Sequence, residues 1–170
     1  PYTMRIDLKR LQVDVSALKN RVTSEEAENI EFNSSTLESA GDHLGDKLVV
    51  KGSTAGTIGV GQLVFLNSST VWTLAAGNDT GVGENEILGM AITTTPNSDG
   101  VLTKGIFKLN TSYINGSSFT VGAQVFMHPS TAGSYTSTIP ATAGQIARVV
   151  GYAIAADTIF FNPSPDYIEI

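Results

Sequence analysis

Two histidines, His43 and His128, are the only imidazoles in the chain, and there is no cysteine. Catalysis built on histidine needs a nucleophile within hydrogen-bond reach and a third group that orients the ring. Neither histidine has such partners at a recognisable spacing: His43 lies in a polar stretch and His128 directly precedes Pro129. Both read as surface or hydrogen-bonded side chains. The missing cysteine excludes thiolate catalysis, Cys-ligated metal and a disulfide scaffold. Asp79, Glu84 and Glu86 supply oxygens of the kind calcium takes, in a Gly-rich loop, but the Asp-x-[Asp/Asn]-x-[Asp/Asn]-Gly spacing is absent. A solvated loop is the expectation. Gly81-Val82-Gly83 begins like a phosphate loop, yet no Gly-Lys-Ser/Thr follows and no βαβ pattern surrounds it. Trp72, Tyr113, Tyr135 and Tyr152 have the faces on which a sugar could stack. Spaced singly along strand-like segments, they read as core or interface aromatics. Asn33, Asn67, Asn78, Asn110 and Asn115 each open an Asn-x-Ser/Thr triplet, as a chain rich in these residues will do by composition. The reading is a non-enzyme, with no cofactor and no metal expected.

The composition agrees. The chain has 170 residues, 41% hydrophobic and 15% charged, with a formal net charge of −6. That length suits one domain plus an appendage. The acidic balance argues against a nucleic-acid partner, because no basic stripe is present to neutralise phosphates. The longest uncharged apolar run, Val149 to Ala156, is eight residues, far too short to span a bilayer as a helix. No basic leader followed by an apolar stretch is present, so neither a signal peptide nor a membrane partner is expected. Charge is also unevenly placed. Residues 1–51 carry seven Lys/Arg and nine Asp/Glu, whereas residues 52–170 carry three and seven. A folded surface normally holds a quarter or more charged residues, so the second part reads as a domain partly covered by copies of itself or by a larger assembly.

The first 26 residues read as an assembly element. Met4, Leu8, Leu11, Val15, Leu18 and Val22 are spaced 4, 3, 4, 3, 4, an a/d seam with Leu8, Val15 and Val22 at a. In that register Asp14 faces Lys19 and Arg21 faces Glu26, pairs of opposite sign. Val at a with Leu at d favours two strands. The seam spans roughly 28 Å at the helical rise, too short to associate without help from the following domain. An extended arm is the alternative. Ile6 and Val13 fall at the outermost heptad position, while Met4-Ile6-Leu8 and Leu11-Val13-Val15 alternate like strands. In that form Ile6 and Val13 would be the docking pair.

Residues 27–51 are polar with sparse apolar anchors and read as a connector ending in the first strand, at Leu48-Val49-Val50. Residues 52–170 read as a β domain with an internal repeat. Val60-Gly61-Gln62-Leu63-Val64-Phe65 matches Val121-Gly122-Ala123-Gln124-Val125-Phe126 at an offset of 61, and Gly89-Met90-Ala91-Ile92 matches Gly151-Tyr152-Ala153-Ile154 at 62. A third strand follows in each unit, Gly105 to Leu109 and Thr158 to Phe161. Turn signals at Gly77-Asn78-Asp79, Pro96 to Gly100, Asn115-Gly116 and Ala132-Gly133 punctuate the stretch. Short strands with no helical run of ten predict a mainly β fold, a small pseudo-repeated barrel.

Residues 147–169, from Ala147-Arg148-Val149-Val150-Gly151-Tyr152-Ala153-Ile154 through Phe160-Phe161-Asn162-Pro163 to Asp166-Tyr167-Ile168-Glu169, resemble the C-terminal motif of tailed-phage virion structural proteins, several from cyanobacterial viruses. The Gly-x-x-Val-Phe…Gly-x-Ala pattern is similar to small phage capsid decoration, or cement, proteins. The resemblance covers residues 50–170. It implies a β-barrel or β-tulip domain that sits as a homotrimer on the capsid exterior and bridges neighbouring major capsid subunits. The seam residues would then hold the trimer, and Ile6 and Val13 would dock on the shell. A head or tail fibre whose β domain binds the host surface is the alternative.

Overall fold

A computed structural model describes residues 37–78 and 86–170. The seam residues Met4, Leu8, Leu11, Val15, Leu18 and Val22, the docking pair Ile6 and Val13, and Asp79, Glu84 and Gly81–Gly83 lie outside the described residues.

The described chain is mainly β, as expected. In order it forms β1 (His43–Leu48), β2 (Ser53–Thr54), β3 (Leu63–Leu66), β4 (Val71–Leu74), β5 (Leu88–Ala91), one helical turn α1 (Pro96–Asp99), β6 (Val101–Lys108), a 3-10 turn (Thr111–Tyr113), β7 (Gln124–Met127), β8 (Tyr135–Thr136), β9 (Ile146–Ala147), β10 (Val149–Ala153), β11 (Thr158–Phe161) and β12 (Ile168–Glu169). Local chemistry explains the turns. Asn67 Oδ1 accepts from the backbone N–H of Ser69 and Val71, which closes the β3–β4 hairpin. Asn110 Oδ1 caps the 3-10 turn by accepting from Ser112 N–H and Ser112 Oγ–H. Two of the Asn-x-Ser/Thr triplets are therefore turn formers. Pro96 opens α1 with its preset φ. The hydroxyls of Thr95 and Thr93 both donate to Asp99 Oδ2 and hold its carboxyl below the usual carboxylate range.

The strands make a ten-stranded sheet of order β2-β4-β3-β5-β6-β11-β10-β7-β8, with β1 added to β6, and a two-stranded β12-β9 sheet. Pairing at β6 decides the architecture. Leu102 is opposed by Met90 of β5 on one edge and by Lys47 of β1 on the other; Phe107 is likewise opposed by Ile159 of β11 and His43 of β1. β1 therefore follows one edge of β6, while β5 and β11 share the opposite edge, β5 at its start and β11 at its end. The sheet forks there. The register slips between Asp46 and Lys47, which oppose Lys104 and Leu102 and leave Thr103 as an extra residue in β6. Thr103 Oγ1 donates to the Asp46 carbonyl at 3.2 Å. One extra residue turns the following side chains to the other face. Leu102 and Phe107, an odd number of positions apart, thus both enter the same core. The two strands approach so closely at the Gly45–Gly105 pair that a Cβ on either would strike the other's backbone.

The main core lies between the two arms of the fork. Leu63, Phe65 and Met90 come from one arm, Val125, Met127, Ile159 and Phe161 from the other, and Leu109, Ile114 and Phe119 from the β6–β7 connection. A second cluster, Ile58, Val64, Trp72, Ala91 and Val101, fills the opposite face of the first arm, with Leu48 and Val50 packed against it.

Two expectations need correction. First, there is no closed barrel: β2 and β8, at the ends of the strand path, are not paired with each other. Each is only two residues long and offers no ladder to close on. Single backbone bonds tie the arms instead, from Gly133 to Ala75, Leu63 to Gly133, Gly77 to His128 and Ile146 to Gly77. Second, the first strand lies earlier than Leu48-Val49-Val50: it ends at Leu48, and Val49 and Val50 lie beyond it. β1 begins at His43 and shows a burial pattern with only its end residues half-buried. An edge strand exposed on both faces has no apolar alternation to read.

Candidate functional site

Both histidines make local hydrogen bonds within the fold. His43 Nδ1–H donates to the Gly41 carbonyl at 2.9 Å, and its ring stacks on Phe107 with centroids 5.6 Å apart. His128 Nδ1 accepts from Ser130 N–H at 3.1 Å and Thr131 N–H at 2.8 Å, so the ring proton sits on Nε2. Its polar role is to close the His128-Pro129-Ser130-Thr131 turn. Burial lowers its pKa from the ordinary value, and protonating Nδ1 would break both bonds. The stability this contributes is complete above the unfolded-state pKa of about 6.5. It is lost as pH falls through that value towards the depressed folded-state pKa. We therefore expect the wild type to lose more thermal stability than His128→Asn between neutral and mildly acidic pH, measured by differential scanning calorimetry. Equal losses would show that the turn does not depend on neutral His128.

Three of the four aromatics divide between core and surface. Trp72 and Tyr135 are wholly buried, and Tyr152 is 45% exposed. Tyr135 O–H donates to the Gly61 carbonyl at 2.9 Å, a bond between the arms of the fork. Burial, with Tyr113 as a lesser cause, pushes its phenol well above the usual pKa. The aromatics do not form a sugar platform: of these, only Tyr152 is exposed. Among the described residues no group of three or more His, Cys, Asp or Glu is placed to hold a metal.

Arg148 was missed by sequence reasoning. Only three cations lie in residues 52–170, and this one is 5% exposed. Its Nε–H donates to the Ser164 carbonyl at 2.8 Å and Nη1–H to the Glu86 carbonyl at 3.3 Å. Burial lowers its pKa, while Glu86 and Tyr167 act in the other direction. It joins the β9–β10 corner to the segment before β5 and to the C-terminal tail. Beside it an open cleft of about 340 Å³ is lined by Glu86, Ile87, Thr103 and Pro163, and Glu86 Oε2 there is buried without a hydrogen-bond partner.

A row of apolar residues crosses four strands. Leu44 opposes Ile106, Ile106 opposes Phe160, and Phe160 opposes Tyr152. Directly opposed residues share a sheet face. The row therefore lies on the face of the second arm that points away from the main core. Leu44 is 39% exposed and Tyr152 45%, whereas Phe160 is half-buried and Ile106 is buried between them. Lys104 and Asp46 flank it as a cross-strand pair of opposite sign, and Lys108 pairs with Asp157 at 3.2 Å.

No family model matches the chain, and no curated protein or solved structure is significantly similar to it. The geometry alone therefore has to carry a functional reading. Among the described residues it offers an apolar row exposed at its ends, an open cleft beside Arg148 and a buried guanidinium that acts as a clasp.

Proposed function

We propose that this chain is a non-enzymatic capsid decoration protein of a tailed phage, a homotrimer on the virion exterior that bridges neighbouring major capsid subunits. The observation that supports this reading is the apolar row Leu44–Ile106–Phe160–Tyr152, exposed at its two ends, Leu44 and Tyr152, on a domain with so few charges. A free monomer normally keeps contiguous apolar surface small and surrounds it with charge; a subunit packed into a shell does not need that protection. Ile6 and Val13 form the first footprint on the shell protein and the row forms the second. Met4, Leu8, Leu11, Val15, Leu18 and Val22 hold the trimer.

Such a protein needs no chemistry. A molecule that binds only the intact shell stabilises it by RT ln(1 + [L]/Kd). Three footprints joined in one trimer raise the effective concentration of the second and third contacts, so weak individual contacts suffice.

The two arms of the fork are, in this reading, one unit used twice. Outward from the β6–β11 pair the order is β5, β3, β4 on one side and β10, β7, β8 on the other. Backbone bonds recur at the offsets read from the sequence. Gly61 to Ala91 corresponds to Gly122 to Ala153, and Ala91 to Gln62 corresponds to Ala153 to Ala123. Gly61 and Gly122 have φ of +90° and +84°, the left-handed conformation that glycine adopts without penalty.

Deleting residues 1–22 is expected to leave a folded β domain that no longer co-sediments with undecorated capsids. Wild-type decoration by the truncated protein would remove the arm from the mechanism. Copy number on purified particles tests the wider reading: decoration requires copies on the scale of the shell subunits. Copies on the scale of the tail would overturn it in favour of a fibre.

A further inference from the structure

The chain contains a single Asn-Gly pair, Asn115-Gly116. We infer that Asn115 is a site of spontaneous, non-enzymatic modification, cyclising with the Gly116 amide to a succinimide that water opens to aspartyl and isoaspartyl products.

The nucleophile is unencumbered. Gly116 is exposed at φ +106°, with nothing within 4 Å of where a Cβ would stand. Among the described residues its N–H makes no hydrogen bond. The electrophile is held. Asn115 N–H donates to the Tyr135 carbonyl at 2.8 Å, and Nδ2–H donates to Thr131 Oγ1 at 3.1 Å. Ile114 forms a bridge with Tyr135 just before it, and Phe119 N–H bonds to the Ala156 carbonyl just after. Residues 116–118, all exposed, thus span two fixed points.

The reaction balances without an oxidant or a cofactor. Gly116 N loses its proton and attacks Asn115 Cγ; the new N–C bond closes a five-membered imide, the Cγ–Nδ2 bond breaks, and ammonia leaves. Water then attacks one of the two imide carbonyls. Attack at the side-chain carbonyl gives aspartate. Attack at the backbone carbonyl gives isoaspartate, with an extra methylene in the main chain. Both products exchange a neutral amide for a carboxylate.

Four other described asparagines, Asn67, Asn97, Asn110 and Asn162, are less disposed to react. Asn67 and Asn110 have Oδ1 engaged in their own turns. Asn97 accepts from Thr54 Oγ1–H and donates to the Gly52 carbonyl. The residue after Asn162 is Pro163, which has no N–H to attack with. Modification at Asn115 would remove the donor to Thr131 and place an anion in the cleft of about 430 Å³ that it shares with His128 and Gln145.

The test is peptide mapping of the folded, full-length protein after incubation in mildly alkaline buffer, with an isoaspartyl methyltransferase assay to separate the two products. Expected is conversion of Asn115 ahead of Asn67, Asn97 and Asn110, with isoaspartate in excess, and an acidic shift of one charge on isoelectric focusing. An Asn115→Gln variant, altered at an exposed side chain, should fold and lose that shift. Conversion of Asn67 or Asn97 before Asn115, or an acidic shift that persists unchanged in Asn115→Gln, would overturn the assignment.

Discussion

Trp72→Ala is expected to destabilise the domain by about 3–5 kcal/mol, the range for removing a fully buried large aromatic. In a chain of this size that lowers the melting temperature by roughly 10 °C. Trp72 is wholly buried on β4, where it opposes Leu66 and packs in the cluster with Ile58, Val64, Ala91 and Val101. That cluster holds the segment after β1 against the first arm, so the cavity would open where Leu48 and Val50 dock. Trp72→Phe should behave differently. The indole N–H is buried with no hydrogen-bond partner, and an unsatisfied buried donor costs about 1–3 kcal/mol. Phenylalanine removes that donor as well as part of the ring, and the two effects oppose. The melting temperature of Trp72→Phe, read by far-UV circular dichroism, should fall well short of the Ala loss. A Phe variant as unstable as the Ala variant would mean that the shape of the indole, rather than apolar burial, holds the cluster.

Several elements were legible because their determinants are local. β3 and β7 follow Gly61 and Gly122, each of which supplies the positive φ of its entry turn. β10 and β11 are almost wholly apolar, as largely buried sheet is, and β6 carries apolar pairs at Val101-Leu102 and Ile106-Phe107. β1 was illegible for the opposite reason. His-Leu-Gly-Asp-Lys-Leu exposes most of both faces, and its partner is 58 residues away at Lys104, opposite Asp46. Pairing at that distance leaves no trace in a window of ten residues. The fork depends on Thr103, whose extra position is visible only once β1 and β6 are laid side by side. The outer row could be read only in part. Tyr152 and Phe160 were seen as strand residues, but their adjacency to Ile106 and Leu44 comes from register alone.

The substitution of the single guanidinium in the β domain tests the other long-range device. Arg148→Ala is expected to cost about 3–5 kcal/mol, the scale for breaking a buried charged interaction by removing one side. Among its partners are the backbone carbonyls of Glu86 and Ser164, which no side-chain pattern records. That is why the residue read in sequence as one more polar position in the 147–169 motif. The carbonyls would remain after substitution, part-buried and without this donor. Arg148→Lys keeps the charge but concentrates it in one ammonium, which lacks the planar fork that reaches two acceptors at once. It should retain about half the stability. The loss should also be local before it is global. Asn162 N–H bonds to the Val150 carbonyl, Ser164 N–H to Val149, and Ile170 N–H to Gln145, so the tail is fastened to β10 and to the residue before β9 along the same seam. Hydrogen exchange in Arg148→Ala should accelerate at 162–170 while β3 and β7 remain protected. If exchange rises evenly across the domain, the guanidinium supports the whole core. If the tail stays protected, its own backbone bonds hold it without the clasp.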